Sequence, residues 1–263
     1  MDWLIAVPLG AVLGFLIGLT GVGGGALVAP SLYVILGLSY QEAIALSLIY
    51  SLFTKIVGAV QHIRQRTVLW KITLLYGLTG IPGAVLGSHA IYRMGSATER
   101  IFPYVMAALL VTVALLILLE TVVRNLAGRE KPFSPHVLTP AGIGAIAVFQ
   151  LLVGVLLGIT SVGSGSLVIL SMLYLFRMTA QQIVGSNIVI ALIMVVPAGL
   201  MHLGLGGTKL SLLVLLMAGS VVGTVTGART ALRLPQWALK LVIVVLMLAG
   251  ALATVVKAGR IAP

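Results

Sequence analysis

The sequence predicts an all-α polytopic membrane protein of about ten transmembrane segments, in two inverted five-segment repeats with short, Gly-interrupted second and seventh segments. Three observations predict it: the balance of apolar to charged residues, the number and length of the apolar runs, and an internal duplication. Of 263 residues, 60% are hydrophobic and 8% charged, with a mean hydropathy of +1.21. Soluble domains carry about 25% charged residues. The polar residues here are too few to cover a single apolar core, so lipid must solvate most of the surface. Ten spans of about 20 residues use about 200 positions and leave no room for an extramembrane domain.

The apolar runs lie near 4–20, 26–38, 43–62, 69–91 and 101–119, then near 138–160, 166–176, 183–203, 209–232 and 236–256. Met1-Asp2-Trp3-Leu4 puts an acid and an aromatic ahead of the first run, not the basic start of a cleavable signal peptide, so that run is read as a span. Gly10, Gly14 and Gly18 repeat at four and mark a helix-packing face, as do Gly219, Gly223 and Gly227 in the ninth run. The second and seventh runs reach only about 16–20 Å as helix and cannot cross a bilayer alone. After the fifth run, Glu120 to Pro140 is the most polar stretch and carries three prolines. The expected organisation is therefore a first repeat over 1–119, a linker over 120–140 and a second repeat over 141–263.

The halves are copies. A constant offset of 140 pairs Gly14 with Gly154, Gly18 with Gly158, Thr20 with Thr160, Gly23 with Gly163, Gly25 with Gly165, Gln41 with Gln181 and His62 with His202. With five segments in each, the second copy enters from the opposite side, the inverted repeat seen in secondary transporters.

The absence of Cys removes disulfides, thiolate metal sites and cysteine nucleophiles. The formal charge of +11 does not indicate nucleic acid, because Lys and Arg sit mainly in short loops where topology accounts for them. Threading ten spans places Arg64, Arg66, Lys71, Arg124, Arg129, Lys131, Arg177, Arg229, Arg233 and Lys240 on the side opposite the N-terminus. Arg93, Arg100, Lys209, Lys257 and Arg260 fall on the N-terminal side. This bias puts both termini outside the cytoplasm.

The candidate site follows from the short segments. Each is preceded by a cluster, Thr20-Gly21-Val22-Gly23-Gly24-Gly25 and Thr160-Ser161-Val162-Gly163-Ser164-Gly165-Ser166. Short Gly-interrupted segments at matching places in two halves point to a transporter's binding site. Glycine lets backbone N–H groups turn inward, and the following half-helix offers its positive end to an anion. The predicted substrate-binding residues are Thr20, Gly21, Gly23, Gly24, Gly25, Thr160, Ser161, Gly163, Ser164, Gly165 and Ser166, with Ser47 and Asn187, which match under the offset. Lys55 joins them as the charged residue well inside an apolar run, where an uncompensated Lys costs about 2.5–3.5 kcal/mol. It either faces the bound anion or snorkels along its stem.

His62 and His202, at matching segment ends, are candidate proton carriers. Asp2, Glu42, Glu99, Glu120 and Glu130 all fall at segment ends or in the linker, so a buried carboxylate relay is not expected. An anion leaves an inside-negative cell downhill by about 2.3 kcal/mol per charge per 100 mV, so export needs no proton partner.

At these residues the chain resembles the TauE/SafE family of bacterial sulfite and organosulfonate exporters over nearly its whole length. The resemblance is carried by Gly14 to Gly25, by Tyr50 to Lys55 with His62, Arg64, Val68 and Trp70, and in the second half by Gly185-Ser186-Asn187, Gly199 to His202, Gly219, Ser220 and Gly223. It implies export of sulfite or an organosulfonate such as sulfoacetate across the bacterial cytoplasmic (inner) membrane, with a site shared between the repeats. Many members carry Gly-Thr-Asp in the third segment of each half; here those places read Ala45-Leu46-Ser47 and Gly185-Ser186-Asn187.

The expected protein is thus a multi-pass anion exporter, not an enzyme, with both termini periplasmic. Its partners are a small inorganic or organic anion and the lipid bilayer; an oligomer is compatible with the sequence, and no nucleic acid, metal or cofactor is expected. Two alternatives stand beside this reading. An intramembrane serine hydrolase would use Ser164 with His202, but the first half has Gly24 in place of Ser164. A non-transporting membrane scaffold would need neither Lys55 nor opened glycine backbone. Neither cluster continues into the Lys-Ser/Thr of a phosphate-binding loop.

Overall fold

The computed structural model describes residues 2–20, 25–95, 97–126, 139–163, 165–176, 178–204, 210–231 and 236–261. Ten helices run among the described residues. They are α1 (Asp2–Thr20), α2 (Gly25–Val34), α3 (Tyr40–Arg64), α4 (Trp70–Met94), α5 (Ala97–Leu126), α6 (Pro140–Thr160), α7 (Ser166–Leu175), α8 (Ala180–Gly204), α9 (Leu210–Ala231) and α10 (Gln236–Ile261). Six of them, α3, α4, α5, α6, α8 and α10, are long and apolar enough to cross a membrane. At ten residues each, α2 and α7 span about 15 Å, half a bilayer core. Helix α5 runs past the apolar stretch ending near 119, through Glu120 to Leu126, where Val122 and Val123 continue its apolar character.

Local chemistry sets the helix starts. Ser39 caps α3 reciprocally with Glu42, directly after a turn in which Gly37 takes φ +66°. Thr139 caps α6 ahead of Pro140, which occupies a first-turn position where no backbone donor is lost.

The first helix of each half packs along the fourth helix of the other, α1 on α9 and α6 on α4, while α3 lies on α8 and α5 on α10. The glycines spaced at four make these contacts. A Cβ on Gly10 would stand 2.1 Å from the Leu216 carbonyl oxygen, and one on Gly223 would stand 2.0 Å from that of Ala11. With no hydrophobic drive between helices in lipid, such close approach is what holds the pairs together.

Hydrogen bonds define two faces of the bundle. At the first face, Gln41 of α3 and Thr98 of α5 both donate to the Ile91 carbonyl of α4, and Lys257 near the end of α10 donates to the Leu38 carbonyl beyond α2. At the opposite face, the Leu69 N–H before α4 donates to Ser186 near the start of α8. Helices α1 and α9 run parallel, as do α4 and α6. It follows that α1 descends from the first face and α2 returns to it, whereas α6 rises from the opposite face and α7 returns there. Each half thus opens with a re-entrant hairpin, and the two hairpins enter from opposite sides.

Candidate functional site where two re-entrant hairpins meet

The two hairpin tips touch. Gly25, the first residue of α2, lies so close to Ser161, just past the end of α6, that a Cβ on it would come 1.8 Å from the Ser161 carbonyl oxygen. The second tip turns because Ser161 (φ 59°) and Gly163 (φ 109°) adopt left-handed backbone. A serine carries a steric penalty there that glycine does not. Thr160, fully buried, shapes the same turn: its hydroxyl donates to the Leu156 carbonyl at 2.6 Å and accepts from the Val162 N–H at 3.1 Å.

From α3, the Ser47 hydroxyl reaches the Ser161 hydroxyl at 2.9 Å, with both residues buried. Helix α7 begins five residues after Ser161, at Ser166, and its N-cap, Gly165, supplies no side-chain partner. The first N–H groups of a helix lack intrahelical acceptors and carry its positive partial charge. The positive end of α2 is thus buried at Gly25 against Ser161, whose hydroxyl meets that of Ser47.

Asn187 occupies on α8 the place that Ser47 occupies on α3. It is 7% exposed, and its Oδ1 has no hydrogen-bond partner among the described residues. The residue matching Ser161 in the other half is Gly21, which lies outside the described residues, as do Gly23, Gly24 and Ser164; the side chain of Thr20 is likewise not described. The Lys55 ammonium donates to the Ser51 hydroxyl one turn earlier on α3. Its stem runs toward the helix N-terminus, as helical side chains do. The charge is directed back toward Ser47 and away from the helix end at His62.

The two histidines lie at different faces. His62 Nδ1 sits 2.9 Å from the Thr67 hydroxyl at the opposite face, and His202 Nδ1 sits 3.2 Å from the Tyr92 hydroxyl at the first.

Several polar groups escape a reading confined to the two clusters. The Tyr50 and Ser220 hydroxyls bond to each other between α3 and α9, and Tyr40 donates through its hydroxyl to the Ile159 carbonyl at 3.0 Å. Gln150 on α6 is fully buried, with neither amide atom partnered among the described residues. For Tyr50 and Ser220 a signal exists, since both stand in stretches that carry the family resemblance.

The halves also depart from symmetry around this site. Ile193 and Met194 of α8 seat against Gly77 and Gly80 of α4. Their counterparts on α3 are Phe53 and Thr54, and α9 touches α3 only sparsely. Phe53 is left 43% exposed and Val57 73% exposed.

Known proteins are similar to this chain in sequence. The family described as Sulfite exporter TauE/SafE matches residues 6–254. A probable membrane transporter protein of Bacillus subtilis (strain 168), YjnA, is similar at 31% identity over 251 residues, covering 94% of this chain and 97% of the relative. A second probable membrane transporter protein of that organism, YdhB, is 25% identical over 228 residues, covering 87% and 90%. One from Xylella fastidiosa (strain 9a5c) is 25% identical over 191 residues, covering 70% and 68%. No solved structure matches the chain. A chain with ten helices among its described residues, matched by this family over residues 6–254, belongs to the TauE/SafE family of membrane transporters.

Proposed function

We propose that this protein exports small sulfur-containing anions, sulfite or an organosulfonate such as sulfoacetate, across the bacterial cytoplasmic membrane. Both termini and the first face are periplasmic in this reading, and the opposite face, where the basic loops collect, is cytoplasmic. The anion binds between the hairpin tips, held by the backbone N–H groups that begin α2 and α7, by Ser47, Thr160, Ser161 and Asn187, and by the charge of Lys55. Residues 1–119 and 141–263 act as the two repeats, and alternating access comes from one rocking against the other.

One observation carries the reading: the tips of two oppositely entering hairpins meet at Gly25 and Ser161, beside the Ser47 hydroxyl. Irregular backbone at membrane depth is tolerated where it is buried in protein or lines a cavity. The positive N-terminal ends of α2 and α7, each following one of the two clusters, favour an anion beside them.

The test is anion flux in proteoliposomes under an imposed membrane potential with no pH gradient, comparing sulfite, sulfoacetate and sulfate for the wild type and Lys55→Ala. A sulfur anion that moves with the potential, and more slowly in the variant, is the expected result. Movement only under a pH gradient overturns potential-driven export and directs attention to His62 and His202. No movement under either gradient overturns the anion reading.

A further inference from the structure

On the first-face side of the hairpin tips lies a polar network that the matching residues of the opposite side cannot form. Lys257 of α10 donates to the carbonyls of Tyr33, in the last turn of α2, and of Leu38 beyond it, and its ammonium sits 3.8 Å from the centre of the Tyr33 ring. The edge of one tyrosine ring meets the face of the other, Tyr33 against Tyr40, with centroids 5.8 Å apart at 79°. The Tyr40 N–H donates to the Glu99 carboxylate of α5, and its hydroxyl donates to the carbonyl of Ile159. Both tyrosines are fully buried.

That last bond is the informative one. Ile159 lies in the final turn of α6, where carbonyls have no intrahelical donor, and the next residues are Thr160 and Ser161 at the tip. A carbonyl left unpaired at membrane depth is costly, so a donor delivered from α3 fixes where the end of α6 sits. Under the offset of 140, Tyr33, Tyr40 and Glu99 match Leu173, Ala180 and Leu239, and Lys257 matches Ile117. All four counterparts are apolar.

We propose that Tyr40 is a positioning residue that latches the site shut toward the first face: its bond to Ile159 holds the α6 tip against Gly25, and Glu99, Tyr33 and Lys257 hold Tyr40. Release of this bond frees the tip toward the first face while the opposite side is unaffected. The latch rests on the reading that the hairpin tips hold the anion, but its test does not depend on transport.

The native chain has no cysteine, so single cysteines report without background. Ala43 lies on α3 between Tyr40 and Ser47 and is fully buried; its counterpart Ile183 on α8 is 4% exposed. Ala43→Cys and Ile183→Cys are each treated with a membrane-impermeant maleimide from either side of the membrane, alone and combined with Tyr40→Phe, which keeps the ring and removes only the hydroxyl. The expected result is labelling at position 43 from one side that rises about tenfold with Tyr40→Phe, the factor one lost hydrogen bond allows, with labelling at position 183 unchanged. Lys257→Met gives a smaller rise at position 43.

A rise at both positions means general loosening and overturns the latch, as does no rise at either. In flux assays, Tyr40→Phe changes the maximal rate and leaves the sulfite KM unaltered; a raised KM at constant rate makes Tyr40 an anion contact and overturns the positioning role. If no sulfur anion is carried at all, the function reading fails and the labelling pair alone decides the latch.

Discussion

Helices α2 and α7 are matched elements of the two halves, yet eight of the ten residues of α2 are buried and only Val168 and Met172 of α7. The cause lies on the helices behind them. Against α2, α10 presents Leu246, Ala249, Gly250 and Ala253, lining a residual cavity of about 200 Å³. The corresponding positions of α5 are Met106, Leu109, Leu110 and Val113, the last three bulkier than their counterparts, and α7 touches α5 only sparsely. A groove of about 470 Å³ remains beside α7, between Phe149 and Ile146 of α6 and Ser171 and Tyr174 of α7. Two half-helices of equal length are thus seated differently by side chains of unequal size: α2 is packed into the protein, and α7 has free volume at its flank. Lys257 adds to this difference by bonding the Tyr33 carbonyl at the end of α2, a hydrogen bond that the hydrocarbon side chain of Ile117 cannot offer to α7.

The largest expected effect comes from breaking the point where the halves meet. Gly25→Val puts side-chain atoms into the Ser161 carbonyl, so flux in proteoliposomes falls to background and thermal unfolding shows a loss of about 1–3 kcal/mol. Full activity in this variant removes the tip contact from the mechanism.

Next comes a transplant between the halves. Gly250→Leu gives α10 the residue that α5 carries at the matching place, and its side chain meets Pro30 of α2. In the wild type, hydrogen exchange is expected to be faster for the α7 amides than for those of α2, because loosely packed elements open more readily. The variant raises α2 exchange toward that of α7, at a cost of about 1–3 kcal/mol. Equal exchange of the two half-helices in the wild type breaks the comparison.

Smaller effects sharpen it. Ser47→Ala takes the side-chain partner from the buried Ser161 hydroxyl and costs about 1–2 kcal/mol in thermal unfolding. Asn187→Ala costs less, since its Oδ1 already lacks a partner among the described residues; a larger loss in that variant reverses the assignment. Smallest is Gln150→Leu, which replaces two unpaired buried amide atoms and raises stability by about 1 kcal/mol by the same measurement.

Much of this architecture is legible in the sequence because duplication makes it so. Short runs ahead of Ser47 and Asn187, repeated at a fixed offset, are enough to expect two half-helices and a shared centre, and glycines spaced at four mark packing faces on α1 and α9 without saying that the two meet. The latch residues are not legible that way. Tyr40, Glu99 and Lys257 have apolar counterparts, so a comparison of halves passes over them, and their partners are far off in sequence, with Lys257 and Leu38 separated by most of the chain. The unequal seating of α2 and α7 is hidden for a further reason: it depends on side-chain volume on helices that periodicity does not pair with them.

The interlaced pairing of α1 with α9 has a consequence in time. The glycine face of α1 meets residues about 200 positions later in the chain, so at synthesis rates of about 5–20 residues per second it waits roughly 10–40 s for its partner. During that interval α1 must persist in lipid with Gly10 and Gly14 uncovered, whereas α6 finds α4 already inserted when it emerges. Assembly of the first half is therefore completed by the second, and a ribosome stalled in the linker leaves a hairpin with no wall to lean on.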